Sequence, residues 1–546
     1  MERLRNHFCK HIRIYRALLM ALLPLLCCVV RCLLTEHTIA DIYLPASDWN
    51  DELFYYKQVE GMIKYGYPYG YFGFNESHAQ ILSFAAWSPV LFWPWLLWGL
   101  IFGWNLLSPV YCNIFLLSLA VFLFVWLTKA SGKQCAKIAV LFALFPLFTR
   151  YMMSSMPEIT CFSMVIVFFG FAYSYYQKEN MGKLAAMFAL SSVMTLMRPY
   201  LIVFMALPML ILIRKKRWVG LIASLGIGGI TGVLYICINR FLAAEYFTAL
   251  FDTSWLTNFI RHGLVRGFQE FVDKFTYSLA DFFRNCYQGL TSGLATGAFF
   301  IGFLVVMVLV LGYAVYCFGR KDWKEGILYG HLALCFFAMW MALLLMYKMQ
   351  EGSKHLLTFI AVGIFALAMM EAKPRAGRGR ADLSSAASGK PVVRRLAGIG
   401  GCLPVIICAA VFAYLYLWKA ETAYDYQLCF RSEELAAEID RAKLEMEAGM
   451  PLQTQNVPGY ENDVIWVLSD SSEDGEWLVT DYQLLYSLPA GFGISCCDAE
   501  YVLSSFDELQ SKYICTAAGG QIDRLCQERG LTVVTEGLNA VIYQLR

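Results

Sequence analysis

Apolar runs, many of them near the ~20 residues needed to cross a bilayer, recur from Ala17 to Trp418 and then stop. Runs at residues 17–34, 107–128, 138–150, 158–176, 184–197, 199–213, 218–237, 294–317, 326–348, 355–371 and 396–418 predict eleven spans. One further apolar stretch, Trp87–Trp104, is left out of that set. It carries Trp87, Trp93, Trp95, Trp98 and Trp104 with Pro89 and Pro94, the composition of a helix lying in the headgroup layer. Parity tests this choice. With the stretch omitted, Lys129/Lys133/Lys137, Arg214–Arg217, Arg320/Lys321/Lys324 and the basic, Gly/Ser-rich linker at 372–395 (Lys373 to Arg395) all fall on the cytoplasmic side. Counted as a span, it would turn every later basic loop outward.

The start of the chain carries Arg3, Arg5, Lys10, Arg13 and Arg16 ahead of the first apolar run, and no small-residue cleavage signal follows it. The expectation is a retained first span with a cytoplasmic N-terminus, in a multi-pass protein of the plasma membrane. The non-cytoplasmic side then receives residues 35–106, Arg150–Glu158, 238–293 and Tyr347–Lys354. Within 238–293, the amphipathic stretch Trp255–Phe283, with Arg261, Arg266, Lys274 and Arg284, reads as a surface-lying segment. The aromatic run Tyr65–Tyr71 reads as part of the headgroup belt.

Beyond residue 420 the pattern changes. Short apolar runs (Val464–Leu468, Trp477–Thr480, Tyr513–Thr516, Leu531–Thr535, Ala540–Leu545) alternate with helical stretches such as Ser432–Glu447 and Gly520–Glu528. The expected architecture is therefore an α-helical polytopic membrane domain, residues 1–420, followed by a small extracytoplasmic α/β domain, residues 421–546. The second domain is expected to be accessory or acceptor-positioning. No GxGxxG and no P-loop occurs, so nucleotide binding is not indicated and nucleic acid is not an expected partner.

Composition agrees with the pattern. The 546 residues are 58% hydrophobic, 16% aromatic and 16% charged, with a mean hydropathy of +0.52; a soluble domain carries about 25% charged residues. The net charge of +2 conceals an asymmetry, because residues 421–546 hold 22 acidic and 7 basic side chains. The basic excess thus sits entirely in the membrane part. Of 18 cysteines, five (Cys429, Cys496, Cys497, Cys515, Cys526) lie in the tail, an odd number without metal spacing.

Candidate chemistry concentrates on the outer face. Asp48, Asp51 and Glu52 stand just after the first span, and Glu158 is an isolated acid at the outer end of an apolar run. Charge at a span edge is expensive when it turns inward, and is then usually functional. Arg150, Arg198, Lys354 and His355 fall on the same face. Acids and cations so placed could activate a hydroxyl and hold a phosphate.

Here the chain resembles the GT-C glycosyltransferases that use a polyprenyl-phosphate sugar donor, in particular the aminoarabinose-transferase and protein O-mannosyltransferase branch (glycosyltransferase family 39). Asp51-Glu52-Leu53-Phe54-Tyr55 resembles that family's Asp-Glu-x-x-Tyr, followed by Gly66-x-Pro68. Ser88-Pro89-Val90-Leu91-Phe92-Trp93 is similar to its Pro-Pro-Leu-Tyr-Tyr-Trp segment, and Pro157-Glu158 to its second acidic position. Trp87 stands where some members have Lys, and Ser88 replaces the first Pro, so donor binding by that Lys does not carry over.

The resemblance implies a membrane glycosyltransferase that moves a hexosyl or pentosyl group from a polyprenyl phosphate to a hydroxyl of a lipid, glycan or protein, with inversion. Asp51 would be the general base, with Glu52 and Glu158 as the other catalytic acids. Arg150, Arg198, Lys354 and His355 would meet the donor phosphate, and Asp48 and Tyr55 would position substrate. No cofactor is implied; an oxygen-bound divalent cation at Asp48, Asp51, Glu52 and Glu158 is an alternative that the spacing does not demand. Two other readings stand beside it: a flippase for lipid-linked sugars, and a non-catalytic cell-envelope assembly protein. The flippase reading is disfavoured by the absence of an internal repeat and by few mid-span charges.

Overall fold

The computed structural model describes residues 2–42, 50–66, 73–74, 88–242, 254–347, 349–371, 402–419, 477–479, 494–496, 499–509, 511, 513–536 and 540–545. In chain order the helices of the first part are α1 (Glu2–Ala21), α2 (Leu23–Leu34), α3 (Asn50–Tyr65), α4 (Trp93–Phe102), α5 (Ser108–Thr128), α6 (Gly132–Ala143), α7 (Leu147–Met152), α8 (Glu158–Gln177), α9 (Met181–Met197) and α10 (Ala206–Arg214). They continue as α11 (Trp218–Phe241), α12 (Ser254–His262), α13 (Leu264–Thr291), α14 (Ala295–Gly319), α15 (Trp323–Met346), α16 (Met349–Gly352), α17 (Leu356–Met369) and α18 (Leu403–Phe412).

The chain is a polytopic, mainly helical membrane protein. Among the described residues six helical stretches are long and apolar enough to cross a membrane: His11–Leu34, Ser108–Thr128, Glu158–Gln177, Trp218–Phe241, Ala295–Gly319 and Trp323–Met346. Shorter apolar helices occupy Met181–Met197, Pro199–Arg214, Ser353–Met369 and Leu403–Trp418. Local chemistry sets their boundaries. Ser131 and Gln134 form a reciprocal capping box at the start of α6, Asn180 caps α9, and Lys129 closes α5 in a left-handed conformation.

The run expected as a span at 138–150 is not one helix. It breaks into α6 and α7 around Pro146, whose missing N–H and whose ring, clashing with the carbonyl four residues earlier, prevent α6 from continuing. The excluded stretch yields α4, ten residues or roughly 15 Å of helix, too short for a ~30 Å hydrocarbon layer.

Side-chain contacts sort the helix ends into two groups. At one end Arg13 and Arg16 donate to the carbonyls of Trp126 and Ala130 at 2.9 and 2.6 Å, and Gln177 donates to Thr128 O at 3.0 Å. Gln134 reaches Glu371 there at 3.0 Å, Lys137 the Met370 carbonyl at 3.0 Å, and Lys215 pairs with Glu179. At the other end Glu52 meets Arg150, Arg198 meets Glu158, and Lys419 donates to Thr291 O at 3.3 Å. The chain passes from one group to the other through α5, α6 with α7, α8, α9, Pro199–Arg214, α11, α14, α15, Ser353–Met369 and α18 in turn, with α12, α13 and α16 staying at the second end. The basic loops therefore share one end, as the parity argument requires, and the chain leaves α18 at the acidic end.

The tail contributes β2 (Trp477–Val479), β3 (Ile494–Cys496), β4 (Tyr513–Ala517), β5 (Thr532–Glu536) and β6 (Ala540–Gln544), with helices α19 (Ala499–Ser505) and α20 (Gln521–Glu528). Four of the expected strands and the 520–528 helix are thus present; Val464–Leu468 and Ser432–Glu447 lie outside the described residues, as does the 372–395 linker. The strand order is β1-β3-β2-β4-β6-β5, where β1 is Gly73–Phe74 from the chain between α3 and α4. Among the described tail cysteines, Cys526 is buried and unbonded to sulfur.

Candidate active site

α3 presents Glu52, Tyr55, Tyr56 and Val59 on one buried stripe, the i, i+3, i+4, i+7 spacing of a helix face. Glu52 is fully buried. Its carboxylate lies 3.5 Å from the Arg150 guanidinium and accepts from the Ser155 backbone N–H at 3.0 Å and the Ser155 hydroxyl at 3.2 Å. The same hydroxyl also reaches the Glu52 carbonyl at 3.1 Å. Arg150 sits in the last turn of α7 and Ser155 in the connection that follows, so one short stretch of chain carries the two groups described.

Glu158 is the first residue of α8, directly after Pro157, and Arg198 is the C-cap of α9, directly before Pro199. The following proline holds Arg198 in the extended region, with φ −145° and ψ 116°, which stops the helix there. A carboxylate at a helix N-terminus and a guanidinium at a helix C-terminus are each favoured by the local dipole. The two meet at 2.7 Å, both essentially removed from solvent. Arg198 also donates to the Tyr55 hydroxyl at 3.3 Å, which links this pair to α3. The second carboxylate oxygen of Glu158 has no hydrogen-bond partner among the described residues.

His355 is buried beside the Tyr200 hydroxyl, 3.4 Å from its Nδ1. The rings of Tyr200, Tyr347 and His355 form a triangle with centroid separations of 5.0, 5.3 and 6.5 Å. Lys354 is half-buried next to them. The structure thus brings Glu52, Tyr55, Arg150, Glu158 and Arg198 into one connected cluster and places His355 and Lys354 at the same end of the bundle. Asp48 lies outside the described residues, as does the side chain of Asp51, whose backbone forms the first turn of α3.

Three contributors escaped the sequence reading. Asn113, fully buried in α5, accepts from the Trp95 indole N–H at 2.9 Å and donates to Ser154 O at 3.0 Å and Tyr151 O at 3.3 Å, which fixes the loop that holds Glu52. A lone amide within the apolar 107–128 run was a usable signal, because a buried amide without partners costs several kcal/mol. Tyr200 and Tyr347 carried no comparable mark, since tyrosine near a membrane surface is ordinary.

Among the described residues no group of three or more His, Cys, Asp or Glu side chains has metal-binding geometry. What the cluster supplies is a water-poor setting with guanidinium, carboxylate, phenol and imidazole groups converging, a combination able to bind an anion and orient a hydroxyl.

No family model matches the sequence, and no curated protein matches it. Solved structures with some similarity include the archaeal oligosaccharyltransferase AglB from Archaeoglobus fulgidus, in complex with an inhibitory peptide and a dolichol-phosphate. It is 12% identical with a TM-score of 0.47, over 93% of this chain and 70% of AglB. ArnT from Cupriavidus metallidurans bound to undecaprenyl phosphate is 12% identical with a TM-score of 0.45, over 97% of each chain.

Proposed function

We propose that this protein is a membrane glycosyltransferase acting from a polyprenyl-phosphate sugar donor at the end of the bundle opposite the basic loops. The observation that carries the reading is the cluster itself. Residues of the Asp-Glu-x-x-Tyr and Pro-Glu motifs, far apart in sequence, converge with Arg150 and Arg198 in a buried site at one membrane face.

In this reading Asp51 removes the proton from the acceptor hydroxyl. The freed oxygen bonds to the anomeric carbon as the carbon–oxygen bond to phosphate breaks, polyprenyl phosphate leaves from the opposite face, and the configuration inverts. Arg198, Lys354 and His355 face the leaving phosphate, while Glu52, held by Ser155, keeps Arg150 and the start of α3 in place. The unpartnered oxygen of Glu158 accepts a hydroxyl of the bound sugar. The basic end is the cytoplasmic one by the positive-inside rule, which puts the chemistry on the outer face.

The test is a transfer assay on purified protein in detergent with a panel of polyprenyl-phosphate sugars, following release of polyprenyl phosphate. Release by wild type that collapses in Asp51→Asn, with the variant still monodisperse, supports the assignment. Undiminished release in Asp51→Asn removes Asp51 as the base, and movement of a lipid-linked sugar across vesicles without any new glycosidic bond replaces the transferase with a flippase.

A further inference from the structure

The role of the C-terminal sheet follows from how its two faces are used. In β4 and β6, paired antiparallel, Ile514 lies opposite Tyr543 and Thr516 opposite Val541, so these four share one face. Ile514, Val541 and Tyr543 are packed with Val502, Ile522 and Cys526 of α19 and α20, which cover that face as a small core of their own. The alternate positions point the other way. Ile542, 1% exposed, belongs to the continuous core of the helical bundle, and Tyr513 packs against that same core. The sheet therefore lies between its own helices and the membrane domain.

A second, independent observation concerns the sheet edge. Beyond β3 the next strand is supplied from the first outer loop: Gly73 pairs with Ser495 and Phe74 with Cys496, in parallel. An unpaired edge at β3 would be an open template for strand addition, and this loop fills it. The loop is the one that continues from α3, the helix bearing Glu52 and Tyr55. Tyr414 O–H and Lys419 Nζ, donating to Leu290 O and Thr291 O at 3.1 and 3.3 Å, fix the exit of α18 at the same end of the bundle.

We infer that the C-terminal α/β domain is a clamp for the first outer loop: it docks sheet-down on the membrane domain and takes Gly73–Phe74 as its edge strand, and this docked arrangement is the working state of the site. The last clause rests on the transferase reading; the docking does not.

Neighbouring strands lie about 4.8 Å apart, inside the 4.4–6.8 Å range of Cα separations that a disulfide spans. Phe74→Cys, facing the natural Cys496, should therefore cross-link on mild oxidation. The test uses the full chain in detergent with Cys497→Ser throughout and a protease site placed in the 372–395 linker, so that a disulfide holds the two fragments together until reductant is added. Joined fragments with Phe74→Cys, and separated fragments when Cys496→Ser is added, are the expected result. Separated fragments in both, or joined fragments in both, would overturn the pairing.

Ile542→Asn, on the bundle-facing side only, should slow cross-linking several-fold without loosening α20; unchanged cross-linking refutes sheet-down docking. In the transfer assay the oxidised protein should keep the rate of its reduced form. A loss of transfer on oxidation that reductant restores would mean that the clamp must open, against the inference. A wild type inactive with every donor would count against the transferase reading alone, since the cross-link still judges the clamp.

Discussion

The Glu158–Arg198 pair offers the sharpest energetic prediction. At 2.7 Å its Coulomb attraction is about 6 kcal/mol at an effective dielectric constant near 20. Both groups are buried, so desolvation cancels much of that gain, and the net worth of the intact pair is small. Removing one partner is a different matter. Glu158→Gln takes the 2.7 Å carboxylate from the buried Arg198 guanidinium while leaving its Tyr55 contact, and Arg198→Met takes that guanidinium from the buried Glu158; each should cost about 3–5 kcal/mol. The double variant removes both charges and should cost clearly less than the sum of the two, by about 2–3 kcal/mol. The assay is unfolding of the purified protein in mixed micelles of increasing denaturing-detergent fraction, followed by tryptophan fluorescence and read as a double-mutant cycle. Single variants each within about 1 kcal/mol of wild type, or costs that add within about 0.5 kcal/mol, would refute the claim that these charges depend on each other.

Further predictions concern packing, the loop behind Glu52 and the tail. A Cβ at Gly297 would stand 1.9 Å from the Asn285 carbonyl oxygen and 2.7 Å from the Gly289 nitrogen, so Gly297→Ala must part α13 from α14 and should cost about 1–3 kcal/mol, seen in the same micelle assay. Gly312→Ala in the same helix meets open space and should be neutral or stabilising by up to about 1 kcal/mol. Asn113→Leu strips the buried Trp95 indole of its acceptor and releases the 151–156 carbonyls, so it should cost about 2–4 kcal/mol and speed amide exchange across residues 151–156; unchanged exchange there would remove Asn113 from the site's support. In the tail, burial tends to raise the Asp523 pKa, but hydrogen bonds from Tyr543, the Gly519 N–H and Gln527 outweigh it and hold the group below the usual 3.8. Because the folded value is the lower one, Asp523 supports the domain above the unfolded pKa and that support fades as pH falls through and below about 4. Exchange protection of α20, corrected for intrinsic rates, should drop over that range in wild type and stay flat in Asp523→Asn.

Much of the membrane domain was legible because a bilayer imposes one strong rule, a sustained apolar run, and the apolar helices follow it. The tryptophan-rich α4 could be set aside because the basic loops had to share one side, and the contacts of Arg13, Arg16, Gln177 and Lys215 show that they do. The 138–150 run misled because hydropathy ignores the backbone break around Pro146. In the tail, β3 was missed as a three-residue run, Ile494–Cys496, and β1 as a two-residue one, Gly73–Phe74; their pairing depends on partners more than 400 residues away, which no local window detects. The candidate residues were visible individually as charges in the wrong place for a membrane edge. That Glu52 chooses Arg150 and Glu158 chooses Arg198 was not, since position along the chain does not specify which helix ends meet.

The two ends of the bundle use cations differently, and this bears on how the site works. At the basic end Arg13, Arg16, Lys137 and Lys183 donate to backbone carbonyls, most of them at or just beyond helix C-termini, where a cation complements the dipole and stays near water. At the opposite end Arg150 and Arg198 are buried against carboxylates. A cation of the first kind can be exchanged for another, or lost, with little consequence, because solvent compensates it. One of the second kind sits against a buried acid that solvent cannot replace, so the two are not changed separately without cost. In the transferase reading proposed above, the donor phosphate meets guanidinium groups already oriented and already desolvated, which lowers the reorganisation needed to bind it. The same argument explains why single substitutions there confound stability with activity, and why the paired variant of Glu158 and Arg198 separates them: it restores charge balance to the fold while leaving the site without the guanidinium.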